Sequence, residues 1–219
     1  MNWLRAGVLG ANDGIISTAG LVVGVAAVGL TREPIVIAGI AGLVAGAASM
    51  ALGEYVSVSS QRDTERAVLT EQRSDIAAQP SLECAHLAAV YEAKGLSSLT
   101  AWTVAEELTK HDAFAAHVDA ELGIDPDALV NPWHAAAASA GSFTVGALFP
   151  LIAILLAPLS MLVPITVVVV VLALIITGTI SASLGGANRV VAALRLLVGG
   201  ALAMAFTWGV GQLIGIATG

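Results

Sequence analysis

Residues 128–188 read ALVNPWHAAAASAGSFTVGALFPLIAILLAPLSMLVPITVVVVVLALIITGTISASLGGAN, without a single Asp, Glu, Lys or Arg. A helix rises about 1.5 Å per residue, so one helix over this stretch would run about 90 Å, against roughly 30 Å of bilayer hydrocarbon. The stretch must therefore hold two membrane spans, over residues 135–156 and 161–184. Pro158, Ser160 and Pro164 mark the turn between them. Pro150 falls inside the earlier span and is expected to kink it.

The same pattern extends outward. Residues 14–30, 35–53 and 196–219 are also uncharged, which gives three more spans over residues 6–30, 35–57 and 191–214. Across the 219 residues, 57% are hydrophobic and 11% charged, with a mean hydropathy of +0.88. Soluble domains carry roughly 25% charged residues, so a soluble enzyme is excluded. A single cysteine, Cys84, excludes a disulfide scaffold, and a net charge of −7 argues against a nucleic-acid partner. The expected fold is all-α: a polytopic membrane protein of five transmembrane helices, with a helical insert between the second and third. Residues 1–58 hold spans one and two, 59–131 the insert, and 132–219 the last three spans. The first span is not expected to be a cleaved signal peptide, because Asp13 interrupts it early and its apolar run is too long.

The insert holds 13 of the 16 acidic residues and five of the nine basic ones, a net of −8. An N-terminus inside the cell puts Arg5, Arg62, Arg66, Arg73, Lys94, Lys110, Arg189 and Arg195 on the cytoplasmic side and only Arg32 outside, which favours N-in, C-out. Helices are expected over residues 63–78, from a cap at Ser81 to before Gly95, over 98–109 and over 112–122, with Gly123 as a stop. Leu82, Val90, Leu99, Val104 and Leu108 would supply the inward faces. So small a core is marginal alone, and support is expected from the membrane helices, a second copy or bound metal. Nothing but Gly53 breaks residues 50–78, so the first insert helix should continue out of span two as a stalk. Cys84 reads as a small buried residue.

Asp13 and Glu54 lie within spans, where a charged carboxylate costs several kcal/mol unless it lines a polar cavity. Asn12, Ser17 and Thr18 surround Asp13. Gly42, Gly46, Met50 and Glu54 share one helical stripe at four-residue spacing, and its small residues allow a close approach. A carboxylate beside a thioether suits a borderline transition ion better than Mg2+ or Ca2+. A carboxylate that takes such a cation must give up its proton, which is the minimal chemistry of a metal/proton antiporter. No nucleophile–base pair, glycine-rich phosphate loop or Cys-x-x-Cys stands out, so an enzyme is not expected.

NDGIISTAGLVVGVA in span one, GLVAGAASMALGEYVSVSSQRDTE through span two and SFTVGALFPL in span three resemble the vacuolar iron transporter family, the Ccc-type Fe2+/Mn2+ transporters. The resemblance covers essentially the whole chain. It implies a five-span homodimer that exports cytosolic Fe2+, and often Mn2+, against protons, with the path at the dimer interface and a cytoplasmic helical domain gathering metal. It places the membrane metal site on Asp13, Met50 and Glu54. It places the paired cytoplasmic ligands on Gln72 and Asp75, Glu83 and His86, and His117 and Glu121, with Glu71 able to replace Gln72. Three of these positions depart from the family's glutamates and methionine to Gln or His, and Asp75 is shorter, so weaker or fewer cytoplasmic metals are expected. No ferritin-like segment precedes span one, so no fused ferroxidase is expected.

The expected function is thus proton-coupled export of Fe2+, with Mn2+ next. The alternative is a membrane protein that senses or buffers metal without transport. No prosthetic group is implied; Fe2+ or Mn2+ enters as transported and regulatory ion. The partners are protons, divalent metal, the lipid bilayer and a second copy of the chain, and a bacterial plasma membrane fits better than an organelle. Ligand type alone does not rank Fe2+ against Mn2+, Co2+ or Zn2+.

Overall fold

The computed structural model describes residues 2–29, 31–126 and 128–218, with side chains for all of these except residues 2–6 and 218. Leu30, the expected end of span one, and the side chain of Arg5 lie outside the described residues. Among the described residues seven α-helices follow one another: α1 (Asn2–Ala26), α2 (Arg32–Ala78), α3 (Pro80–Ala93), α4 (Ser98–His117), α5 (Pro132–Leu156), α6 (Leu162–Gly185) and α7 (Arg189–Thr218). A π-helical turn, Val118–Leu122, follows α4, and a 3-10 turn, Leu159–Met161, precedes α6. No strand occurs among the described residues. Among the described residues five helices are long and apolar enough to cross a membrane: Gly7–Ala26, Arg32–Ala78, Pro132–Leu156, Leu159–Gly185 and Arg189–Ala217. The chain is an all-α polytopic membrane protein. It divides into two compact units, residues 1–56 with 132–219, and residues 57–131.

In the first unit α1 packs against α5, α6 and α7. Ile15, Ala19 and Val23 of α1 meet Val170, Ala173 and Leu174 of α6 and Met204 of α7. A second cluster joins Val22, Ile35, Leu151, Ile154 and Leu162. Lipid is as apolar as these side chains, so burial alone does not hold such helices together; close packing of small residues does. A Cβ at Gly14 would collide with the carbonyl oxygen of Phe143, one at Gly146 with that of Ala11, and one at Gly211 with that of Gly24. Gly14→Ala is therefore expected to destabilise the protein by roughly 1–3 kcal/mol, the usual cost of overpacking. Gly7→Ala, where a Cβ meets nothing, is expected to be neutral or mildly stabilising. Thermal unfolding of the two variants in detergent checks the contrast.

Polar groups tie the helix ends. Arg32 donates to the carbonyls of Leu155 (2.9 Å) and Ala157, satisfying acceptors left open where α5 ends. Gln212 of α7 donates to Ala27 just past α1 at 2.7 Å. Gly186, with φ +67°, closes α6, and Asn188 accepts from the N–H groups of Val190 and Val191 to start α7. The turn after α5 falls at Pro158 as expected, while Pro164 lies within the first turn of α6, where its missing N–H costs nothing. The helix continues through Pro150.

Helix α2 is one 47-residue helix to Ala78, and its residues 57–78 belong to the second unit. Helix α3 begins with Pro80 at its first position, so Ser81 lies inside the helix and does not cap it; Gln79 precedes it without a side-chain cap. Ser97 caps α4 through the N–H of Thr100. Helix α4 is broken at Asp112, whose backbone is extended (φ −159°, ψ 97°) and whose carboxylate accepts from the N–H of Ala115 at 2.9 Å. Asp112 thus caps the separate segment expected after it. The core consists of Leu87, Ala88 and Ala105, flanked by Cys84, Tyr91 and Leu108. Leu82 and Leu99, expected inside, are exposed, Leu99 at 81%. Each is a position or two out of phase with the buried stripes, Glu83–Leu87 on α3 and Ala101–Ala105 on α4. The small Ala residues let the helices approach, and a glutamate occupies the inward place a leucine was expected to take.

Candidate functional site

In the first unit a cavity of about 270 Å³ is lined by Asp13, Ser17, Thr18 and Leu21 of α1, Gly42, Gly46, Ser49 and Met50 of α2, and Phe143 of α5. Asp13, Ser17 and Leu21 follow one another at four-residue spacing, so one face of α1 presents them all. On α2 the less exposed positions include Ile35, Gly39, Gly42, Gly46, Met50 and Glu54, again one face. Its glycines decide how near α2 can come. A Cβ at Gly46 would run into the ring of Phe143, and one at Gly42 into the side chain of Leu21. Phe143, 2% exposed, is the apolar wall of the cavity.

Asp13 and Met50, chosen from the sequence, therefore face one hollow. Glu54 is half-buried one turn beyond Met50 on the same face and does not line it. The next residue, Tyr55, packs against Trp133 at the start of α5 in a tilted ring contact, with centroids 4.6 Å apart. Ser17 donates to the carbonyl of Asp13 at 2.6 Å. Thr18, Ser49 and Phe143 were not picked out as lining residues. Thr18 and Ser49 are polar neighbours of Asp13 and Met50, a signal the sequence carried; Phe143 carried none, because its place depends on how α5 crosses α1.

The second unit brings together most of the other chosen residues. Glu83, only 8% exposed, accepts from Gln72 Nε2 at 2.9 Å and pairs with His86 Nδ1 at 3.3 Å. His117, 1% exposed, has Nδ1 2.7 Å from Glu121 and 3.9 Å from Glu83. A carboxylate only accepts, so Nδ1 carries the hydrogen. His117 Nε2 is buried with no hydrogen-bond partner. The break at Asp112 and the π-helical turn fix where His117 and Glu121 point, and Lys94 steadies that turn by donating to Ala120 at 2.8 Å. Glu71 and Asp75 are exposed and stand outside this network. Among the described residues no three His, Cys, Asp or Glu side chains form a ready metal site, since the carboxylates here are engaged with imidazole and amide.

Among the described residues, five helices long and apolar enough to cross a membrane, three of which line a cavity that holds an acid and a thioether, define a polytopic membrane protein. The sequence profile of the VIT family matches residues 4–212. A vacuolar iron transporter of Acanthamoeba castellanii is 41% identical over 213 residues, 96% of this chain and 78% of that protein. Vacuolar iron transporter homolog 3 of Arabidopsis thaliana is 39% identical over 97% of this chain and 84% of its own length. Vacuolar iron transporter homolog 1 of Oryza sativa subsp. japonica is 38% identical over 98% and 75%. The chain belongs to the VIT family, and its work is that of a metal-ion transporter, not an enzyme.

Proposed function

We propose that this protein exports Fe2+, and Mn2+ beside it, from the cytosol in exchange for protons. The observation that carries the reading is the cavity shared by Asp13 and Met50 among the membrane-crossing helices. The carboxylate is the only acid in its lining, so a dication bound there by one chain alone stays net positive. A homodimer, with Asp13 of each copy facing a common path, would balance the charge, and this is the assembly the reading assumes. The carboxylate can hold a proton or share in holding the cation, but not both, so each ion's departure prepares the site for the other. The thioether favours a borderline transition ion over Mg2+. The iron named in the relatives' descriptions fits this donor pair. In the same reading the N-terminus and residues 59–131 face the cytosol of a bacterial plasma membrane. Gln72, Glu83, His86, His117 and Glu121, together with the nearby Glu71 and Asp75, supply a second metal-binding surface.

A second reading, metal binding without transport, draws on the second unit, where Glu83 and Glu121 gather Gln72, His86 and His117 around them. Proteoliposomes loaded with a metal-sensitive dye separate the two. With Fe2+ or Mn2+ outside and a pH gradient imposed, the dye is expected to report metal entry that follows the gradient and stops when it is collapsed. Equilibrium binding with no flux would replace the transport reading by the second.

A further inference from the structure

We infer that Thr18 lends its hydroxyl oxygen to the ion in the cavity, directly or through a water on that ion, and so tilts the site toward oxygen-preferring dications. The inference rests on the transport reading and names a specificity-determining residue for it.

In a membrane helix a Ser or Thr hydroxyl ordinarily donates back to a carbonyl three or four residues earlier. Ser17, Ser142, Thr144, Thr166, Thr179 and Thr207 all do so here. Thr18 does not. It is 2% exposed, and its Oγ1 is buried with no hydrogen-bond partner. Leaving a buried hydroxyl unpaired costs roughly 1–3 kcal/mol, and lipid offers no water to relieve it. Yet Thr18 lines the same cavity as Asp13 and Met50. Threonine occupies two χ1 rotamers in a helix, so its hydroxyl and methyl exchange places by a single rotation. An incoming cation would supply the partner the oxygen lacks.

The choice of donors carries a consequence for selectivity. Carboxylate and thioether together are indifferent among borderline ions, and a neutral oxygen added to them favours Mn2+ and Fe2+ over softer competitors. Thr18→Val keeps the shape, removes the oxygen and breaks no hydrogen bond.

The test uses the full chain in proteoliposomes, with Mn2+ and Zn2+ as probes, and compares wild type, Thr18→Val, Thr18→Ser and Asp13→Ala. For Thr18→Val the KM for Mn2+ is expected to rise about tenfold, the low end for losing a partner of a metal's ligand set, with maximal flux held and the KM for Zn2+ moved much less. Thr18→Ser is expected to restore the wild-type KM. Thermal unfolding without metal should be unchanged, with only the metal-induced shift reduced; should the valine variant fail to fold, Thr18→Ala against Thr18→Ser gives the same comparison. If Thr18→Val matches wild type while Asp13→Ala is inactive, the role of Thr18 is overturned and the transport reading stands. If Asp13→Ala also transports like wild type, the reading beneath it falls as well.

Discussion

Asp13→Asn is expected to lower metal flux by more than about a hundredfold in the proteoliposome assay while leaving the helical fold intact. Asparagine keeps the volume and an oxygen, so packing on α1 barely changes; what disappears is the charge. Losing the anionic partner of a cation bound in the cavity is expected to cost about 3 kcal/mol, which already exceeds a hundredfold in binding. The proton side of the exchange vanishes with the same substitution, because an amide has no proton to trade. Glu33→Gln is the matching control. Glu33 is exposed in the first turn of α2, and its neutralisation is expected to change flux by no more than about twofold, as surface charges contribute little. Circular dichroism and gel filtration verify that both variants fold. Flux retained in Asp13→Asn would remove the cavity from any account of transport.

The spans were legible because the bilayer imposes a length and forbids charge, and both constraints are written residue by residue. Gly95 and Gly123 announced the ends of insert segments, because capping is local chemistry. The stripe from Gly42 to Met50 could be read because helical spacing alone puts those residues on one face, whatever lies opposite. What lies opposite could not be read. Phe143 reaches Gly46 only because Gly14 and Gly146 let α1 and α5 close up, and no local pattern encodes a crossing. The insert was harder for the same reason. Leu82 and Leu99 looked like core by residue type, but the α3–α4 seam is built of alanines that permit a tight approach, with Glu83 buried inside it. A buried acid is the opposite of what hydrophobicity predicts, and it makes sense only once Gln72, His86 and His117 are seen around it. Gln72 looked like a lost charge in the sequence; in the fold its amide donates to that acid.

The same network sets the second large expectation, that metal-stripped protein gains stability on adding Mn2+ and that His117→Leu removes about half of the gain or more. With Nδ1 held by Glu121, Nε2 sits buried inside the protein with no hydrogen-bond partner. A histidine oriented by a carboxylate on one nitrogen, with the other free, is the arrangement that prepares a metal ligand. The experiment is best run in the Asp13→Asn background, so that the membrane cavity adds nothing to the shift. At a metal concentration about 100 times the dissociation constant the stabilisation is about 2.7 kcal/mol. A ten- to hundredfold loss of affinity, the usual effect of damaging a ligand set, cuts that to about 1.4 kcal/mol or less. Leucine fills much of the imidazole's space and removes the orphaned nitrogen, but it also strips Glu121 of its partner, so metal-free His117→Leu should differ from its parent by only about 1–2 kcal/mol. The decisive quantity is the metal-induced shift, not the starting stability. A parent protein that shows no shift would make Gln72, Glu83, His117 and Glu121 a purely structural hydrogen-bond cluster. In that case the metal chemistry of this chain would reside in the membrane cavity alone.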